Sequence, residues 1–418
     1  MNFPQMTLIK QTFDRSRVED IPATVAAELE RIGVRSKVKP GQKVAITAGS
    51  RGIANVAVVT KAVVDFMKGC RAEPFIFPAM GSHAAAIAEK QKDLLGVYGI
   101  SEESMGCPIL STMEVDEIGR NPDGLPIFLD KYARTADHIV VINRVKPHTK
   151  FEGAIESGLM KMMAIGMGKR HGADLYHKAC IQFGMNRVIE TVGLIVMDKC
   201  PVLCGLGLVE NGYDETAIIR AVLPGDLVEE EEKLLLDARR LMARIPFSDI
   251  DLLIIDEMGK NISGTGMDTN VTGVNRDILG DFSSEPRTKR LFVRDLTPES
   301  EGNAVGIGLA DFTTTRLVNK IDKKKTYINC LTGISPEKAA IPMHFDSDRD
   351  CVTAAINCLG MVKPEEVRIV HLRNTLALEK LNVSKAYLPE IEKHEDLEII
   401  GQWQPLAFGP DQNLISPF

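Results

Sequence analysis

The sequence is poor in aromatic residues and has no long apolar run. Phenylalanine, tryptophan and tyrosine make up 5% of its 418 residues, with a single tryptophan. A membrane-spanning helix needs about 20 consecutive apolar residues, and no stretch approaches that length, so no span is predicted. The opening MNFPQMTLIKQTFDRSR shows no apolar core followed by a small-residue cleavage site, so no secretory signal is expected. We therefore expect a cytoplasmic protein.

The sequence also lacks a net positive charge and a second cysteine pair with zinc-binding spacing. The net charge of −7 argues against a nucleic-acid-binding surface. The eight cysteines stand mostly in apolar strings, which is typical of reduced thiols in a cytoplasm. A zinc hydrolase remains an alternative, but the sequence has no HExxH motif, no carboxylate-rich metal cluster and no second cysteine pair to complete a site with Cys200 and Cys204.

Strand-like and helix-like segments alternate along the chain. Short apolar runs lie between helical patterns, as expected of a largely parallel α/β sheet, at KVAIT (43–47), EPFIFPA (73–79), HIVVIN (138–143) and PVLCGLGLV (201–209). A charged helical pattern over 226–245 then precedes the strand DLLIID (251–256). Further strands are predicted at RLFVRDL, TYINCL and VRIVHLR.

These patterns predict an α/β protein of two α/β domains with largely parallel sheets. The N-terminal domain covers residues 1–246 and is joined by the tail 403–418, and the C-terminal domain covers 247–402. We expect the active site in the cleft between the two domains.

Unusual polar residues follow the predicted strands at their carboxyl ends. They are Arg51, His83, His148, Glu257 and Lys260. In open α/β sheets ligands bind at this edge, where loops vary and helix N-termini point at the ligand. A pocket lined by arginine, lysine and histidine predicts an anionic ligand. A non-catalytic nucleotide- or anion-binding protein of the same fold remains open, because fold alone does not give function.

The segment from Gly158 to Gly168 combines small and apolar residues with a lysine, Lys161. Burying an unpaired ammonium is unfavourable, so this lysine is either functional or extends its amine to solvent. His177 follows in an apolar helical setting, where a core histidine is the alternative to a metal ligand. The glycine-rich SGTGMDTNVTG (263–273) offers backbone amides to a phosphate but matches no nucleotide-binding fingerprint.

Together these pieces resemble a known family over most of the chain. The pieces are GSRG, GSH, KPH, GLMKMMAIGMGK, the following YH, and DEMGK. They are similar to the nickel-pincer nucleotide-dependent lactate racemase family. The interval from Lys161 to His177 agrees with the family, whereas the interval from His148 to Lys161 is a few residues longer. Ala48 stands where the family has an aspartate.

The resemblance implies a 2-hydroxy acid racemase or epimerase, an isomerase. Its cofactor would be nickel(II) pyridinium-3,5-bisthiocarboxylic acid mononucleotide, linked at Lys161, contacted by Gly49 and Ser50, and ligated through nickel by His177. His83 and His148 would be the acid/base pair, and the substrate would be held by Arg51, Glu257 and Lys260. The pyridinium ring would accept hydride from C2 and return it to either face, while a histidine takes the hydroxyl proton.

The substrate is an anionic 2-hydroxy acid on this interpretation. Polar residues that offer partners to further hydroxyl groups favour a sugar acid such as gluconate over lactate, namely Asn261, Asp268, Asn270, His344 and Asp346. Lactate or another small 2-hydroxy acid is the alternative. The expected partners in the cell are the proteins that make the cofactor, and oligomerisation stays open.

Overall fold

A computed structural model describes residues 3–50, 52–278, 282 and 285–418. The described residues form two compact units. The N-terminal unit comprises residues 14–148 and 152–242, and the C-terminal unit comprises residues 3–13, 149–151 and the described part of 243–418. No helix in the described ranges is long and apolar enough to cross a membrane.

The elements alternate as an α/β protein requires. The strands are β1 (Gln5–Gln11), β2 (Lys43–Ala48), β3 (Glu73–Pro78), β4 (Val115–Arg120), β5 (Pro126–Asp130), β6 (His138–Arg144), β7 (Val202–Glu210), β8 (Thr216–Val222), β9 (Asp249–Met258), β10 (Arg287–Leu296), β11 (Phe312–Thr314), β12 (Met343–Phe345), β13 (Ile369–Leu372), β14 (Lys380–Ser384), β15 (Leu397–Ile399) and β16 (Gln404–Pro405). The helices are α1 (Ile21–Arg31), α2 (Val34–Lys37), α3 (Val56–Gly69), α4 (Ala88–Val97), α5 (Glu102–Met105), α6 (Leu159–Lys161), α7 (Lys169–Phe183), α8 (Met185–Lys199), α9 (Leu227–Leu241), α10 (Thr269–Thr272), α11 (Thr315–Asn319), α12 (Lys323–Thr332), α13 (Asp348–Asn357) and α14 (Leu388–Ile391).

The N-terminal unit is built on a five-stranded sheet in the order β3-β2-β6-β7-β8. Strands β3, β2, β6 and β7 are parallel, and β8 returns antiparallel beside β7. Val59 and Val63 lie one helical turn apart on α3 and share a core cluster with Val44 and Ile46 of β2. From β2 the chain runs to β3 on one side and later to β6 on the other. The carboxyl ends of β2 and β6 therefore flank the point where ligands bind in such sheets.

The C-terminal unit has a nine-stranded sheet whose main path is β12-β11-β10-β9-β13-β14-β1-β15, with β16 pairing to β1. Strands β10 and β13 flank β9 and are parallel to it, whereas β14 and β1 pair antiparallel. The chain passes from β9 to β10 on one side and later to β13 on the other, so the strand order of this sheet reverses at β9. Both sheets confirm the predicted α/β class.

Three segments differ from the sequence-based expectation. TYINCL forms part of helix α12 rather than a strand, because Asp322 caps the helix by accepting the Lys325 N–H and because Thr326 and Cys330 face the core one turn apart. Residues 5–11 were placed in the N-terminal domain, but they pair as β1 with β14 of the C-terminal unit. The tail 403–418 also belongs to the C-terminal unit, where Leu406 and Leu414 join a core cluster.

Candidate active site

Ser50 and His83 are in contact at the carboxyl edge of the N-terminal sheet. Ser50 follows β2, His83 follows β3, and the Ser50 hydroxyl hydrogen-bonds to Nδ1 of the His83 ring. The Tyr98 hydroxyl donates to the Ser50 carbonyl at 3.0 Å. A hydrogen bond at Nδ1 determines which ring nitrogen carries the proton, and His83 itself is exposed. The hydrogen bond at Nδ1 therefore orients the exposed imidazole of His83.

The backbone around His83 is held in an unusual conformation. Residues 84–86 are three alanines with φ of 51°, 58° and 53°, in the left-handed region that non-glycine residues rarely adopt. The fully buried Gln91 on α4 donates its amide to the Gly81 carbonyl at 3.2 Å and to the His83 carbonyl at 3.1 Å. Such strain persists where surrounding contacts determine the backbone, which is frequent at functional sites.

His148 lies in a loop organised by a buried carboxylate. The His148 N–H donates to Glu156 Oε2 at 2.5 Å, and the other oxygen of Glu156 accepts from the Gly153 N–H and from Arg239. Burial raises the pKa of Glu156, although these hydrogen bonds oppose the shift. Sequence analysis missed Glu156 and Arg239. The detectable signal was an acidic residue within the small-residue run GAIESG.

Lys161 ends the short helix α6 and is followed by a π-helical turn, Met162–Gly166. Its side chain is partly exposed, whereas Met160 and Met162 on either side of it are buried. The neighbours are packed closely, since a Cβ on Gly49 would lie 3.2 Å from Cε of Met162. Asn143, at the end of β6, donates to the Gly158 carbonyl at 2.7 Å. Residues 158–162, which we call the Lys161 turn, therefore pack beside the carboxyl ends of β2 and β6.

A fully buried lysine, Lys169, directly follows the segment from Gly158 to Gly168. Its ammonium pairs with the fully buried carboxylate of Asp130 at 2.9 Å and also donates to the Pro78 carbonyl. Burial lowers the pKa of Lys169 and raises that of Asp130, so desolvation outweighs the attraction within the pair. The contacts join the first residue of α7 to the ends of β3 and β5.

His177 and His171 both lie on α7 in different surroundings. His177 is half-buried, and its Nδ1 atom is inaccessible to solvent. His171 is exposed and packs 6.1 Å from the Phe128 ring, measured between centroids. In the ranges that the structure describes, no group of three or more histidine, cysteine, aspartate or glutamate side chains is arranged to hold a metal ion.

Glu257 of the C-terminal unit faces a cleft of about 390 Å³. The cleft lies at the carboxyl ends of β9 and β13, and its walls include Asn261, Thr297, Arg373 and Asn374. Oε1 of Glu257 accepts from Arg373 Nε at 3.2 Å and from Asn374 Nδ2 at 2.9 Å. The cleft therefore offers amide and hydroxyl groups beside a paired carboxylate.

Lys260 is partly buried beside this strand end. Its ammonium donates to the Gly264 carbonyl at 2.8 Å and to Asn329 Oδ1 at 3.3 Å. Gly266 of the following loop is required by close packing on the chain's own backbone, because a Cβ at this position would lie 2.4 Å from the Val305 carbonyl oxygen. This packing gives the phosphate-cradle interpretation of residues 263–273 no support.

The remaining predicted residues are distributed unevenly. Arg51 lies outside the described residues. Asp268 caps α10 and accepts from Asn270, so both side chains already serve the local fold. His344 and Asp346 are exposed. The ring of His344, on the edge strand β12, forms a hydrogen bond with the Thr315 hydroxyl. Among the polar residues suggested for substrate hydroxyls, Asn261 is the one that lines the Glu257 cleft.

This chain resembles known proteins in its fold and not in its sequence. No family model matches the chain, and no curated protein matches it by sequence. The fold is similar to that of the lactate racemase apoprotein from Thermoanaerobacterium thermosaccharolyticum, with 13% identity, a TM-score of 0.50, and coverage of 79% of this chain and 81% of that one. It is also similar to a protein from Thermotoga maritima, with 13% identity, a TM-score of 0.51, and coverage of 86% and 97%. At this identity the likeness shows a shared fold.

Proposed function

We propose that the protein is a racemase or epimerase that inverts the C2 carbinol of a 2-hydroxy acid. The observation that carries the proposal is the arrangement at one edge of the N-terminal sheet. There the oriented imidazole of His83 follows β3, and the Lys161 turn packs against Gly49 and Asn143 at the ends of β2 and β6. The fold shared with a lactate racemase supports the same reaction class.

The residue types available in this unit fit the nickel-pincer mononucleotide. The amine of the partly exposed Lys161 would be the attachment point, and the imidazole of the half-buried His177 would ligate nickel. Gly49 and Ser50 would contact the cofactor, since they begin the loop after β2. When bound, the cofactor would supply an electrophilic ring carbon that takes up hydride and returns it.

The chain's own residues would bind the acid and move its hydroxyl proton. His83 and His148 would act as general base and acid for the two enantiomers, because imidazole titrates near neutral pH. Arg51 and Lys260 would hold the carboxylate and hydroxyl, with Glu257 beside them. The amide and hydroxyl groups around Glu257 support a substrate with further hydroxyl groups, such as a sugar acid.

Intact mass and nickel content test this proposal most directly. The protein should be isolated from cells that also express the cofactor-making enzymes. We expect an added mass that maps to Lys161 and about one nickel per chain, with the mass lost in Lys161→Arg. His177→Ala should lose nickel and retain the organic adduct. A parent protein with zinc and no adduct would support a hydrolase, and one with neither metal nor adduct would support a binding protein.

The substrate class is tested on the same preparation. C2 epimerisation of gluconate should proceed with a higher kcat/KM than racemisation of lactate. The reverse order would assign the protein to small 2-hydroxy acids.

A further inference from the structure

Helix α9 carries an acidic residue on its apolar face. Glu231 is fully buried, as are Leu227, Leu234 and Leu235 on the same side of the helix. Its neighbour Glu229 is exposed and pairs with a lysine at the surface. A buried carboxyl group loses hydration and is retained where it makes a specific hydrogen bond.

The specific contact of Glu231 is the turn that carries Lys161. Glu231 Oε2 accepts the Met160 N–H at 2.9 Å, one residue before Lys161. Oε1 of Glu231 is also buried. Gly158 makes room for the carboxyl group, because a Cβ at that position would lie 2.1 Å from Oε1.

The same turn is held from its other side. Asn143 donates to the Gly158 carbonyl at 2.7 Å, and the Met162 N–H donates to the same carbonyl at 3.0 Å. One polar side chain therefore binds a carbonyl of the turn and another binds an N–H. Together they specify the backbone immediately around Lys161, ahead of the π-helical turn.

We propose that Glu231 is a positioning residue that holds the Lys161 turn so that the lysine amine is presented for cofactor attachment. The inference rests on the proposed function, in which Lys161 is the attachment point. Hydrogen bonding by the carboxyl group fixes the backbone of residues 159–161, and the chemistry at the amine is left to Lys161 itself.

Burial also raises the pKa of the Glu231 carboxyl group to about 7. Glutamine is therefore a close substitute, because it matches the shape of the protonated carboxyl group and its amide oxygen accepts the Met160 N–H. Leucine has a similar volume but accepts no hydrogen bond.

The test compares Glu231→Gln, Glu231→Leu and the exposed control Glu229→Leu, each expressed with the cofactor-making enzymes. The fraction of chain carrying an adduct at Lys161 is measured by peptide mass. We expect Glu231→Leu to lower this fraction about tenfold, as a small displacement of a reacting group can do, with Glu231→Gln and Glu229→Leu close to the parent. Hydrogen exchange should accelerate in the peptide containing Met160 and stay unchanged in β2 and β6.

A Glu231→Leu protein that is folded and loaded like the parent would overturn the inference, as would equal losses in Glu231→Leu and Glu231→Gln. If Glu231→Leu fails to fold, Gly158→Ala provides the second test, because its methyl group would displace the carboxyl group. Gly158→Ala should then lose the adduct, and full loading would contradict the inference. Absence of an adduct in the parent would instead count against the proposed function.

Discussion

At the scale of single residues, the hydroxyl of Ser50 matters through the ring it contacts. It binds Nδ1 of His83, and its own backbone is held by Tyr98. A hydrogen bond to the second ring nitrogen fixes both the tautomer and the orientation of a catalytic histidine. In the proposed reaction Ser50 would therefore orient His83, independently of the contact proposed between the serine and the cofactor.

Ser50→Ala should lower kcat about tenfold with little change in KM, which is the effect of losing roughly 1–1.5 kcal/mol of hydrogen bonding. His83→Ala should lower kcat by roughly 10²–10⁴-fold, because the general base or acid itself is removed. Steady-state kinetics on loaded protein measures both effects, with the exposed Ser36→Ala as control. Unchanged kcat in Ser50→Ala would show that the contact does not orient the ring during turnover.

At the scale of elements, the Asp130–Lys169 pair is a connector rather than a source of stability. Burial raises the pKa of Asp130 and lowers that of Lys169, so it favours the neutral form of each group. Asp130 also accepts the N–H groups of Tyr132 and Ala133, at 2.8 and 2.9 Å. Removing only one of the two charged groups therefore leaves the other buried without its ionic partner. If Lys169 is removed and Asp130 is also changed to asparagine, the amide oxygen of the asparagine remains as a neutral acceptor for these N–H groups.

Lys169→Met should lower the free energy of unfolding by about 3–5 kcal/mol, because Asp130 would remain buried without its partner. The double variant Asp130→Asn/Lys169→Met should recover about 2 kcal/mol of that loss. Chemical denaturation measures both values. Lys131→Met, which breaks the exposed pair with Glu114, should cost less than about 1 kcal/mol. A double variant no more stable than Lys169→Met would show that the ionic contact itself is required.

The buried carboxyl group of Glu231 should make the free energy of unfolding depend on pH. The pKa of Glu231 in the folded protein, about 7, exceeds the ordinary glutamate pKa of 4.5, so between these values the folded protein holds a proton that the unfolded chain has lost. This contribution to stability is present below about pH 4.5 and is lost as the pH rises through 7.

The parent should therefore lose on the order of 3 kcal/mol of unfolding free energy across that interval through this one group. Glu231→Gln should remove this component of the pH dependence, and the exposed control Glu229→Gln should not. Denaturation series from pH 4 to 8 provide the measurement. Parallel curves for Glu231→Gln and the parent would show that Glu231 does not titrate in this range.

Local patterns in the sequence were sufficient for the four parallel strands of the N-terminal sheet, since buried parallel strands occur as short apolar runs, but they did not predict the antiparallel strand β8. They were insufficient for TYINCL, where a cap at Asp322 and a helical spacing of buried residues outweigh β propensity. They also did not identify Lys169 as a fully buried lysine. Which lysine is buried depends on Asp130, a partner 39 positions away in sequence (169 − 130), and a local pattern does not encode such pairs.

At the scale of the whole molecule, the proposed reaction predicts what happens to the hydrogen atom on C2 of the substrate. Arg51 and Lys260 are proposed to hold the carboxylate and hydroxyl of the substrate, so that its C2 centre is the reacting carbon. If the C2 hydrogen leaves and returns as hydride, it never equilibrates with water. If a histidine removed it as a proton, the imidazole N–H would exchange with solvent before the proton returned.

Running the reaction in D₂O with unlabelled substrate separates these routes. The hydride route predicts a first-formed product that is almost entirely protiated at C2, as read by NMR or mass spectrometry. Substrate deuterated at C2 should then show a primary kinetic isotope effect on kcat/KM. Extensive deuterium at C2 of the first-formed product would contradict the hydride proposal even if His83 and His148 were both essential. That result would place the protein among enzymes that form a carbanion, because the same two histidines on opposite faces of the substrate would then serve as the proton donor and acceptor at carbon.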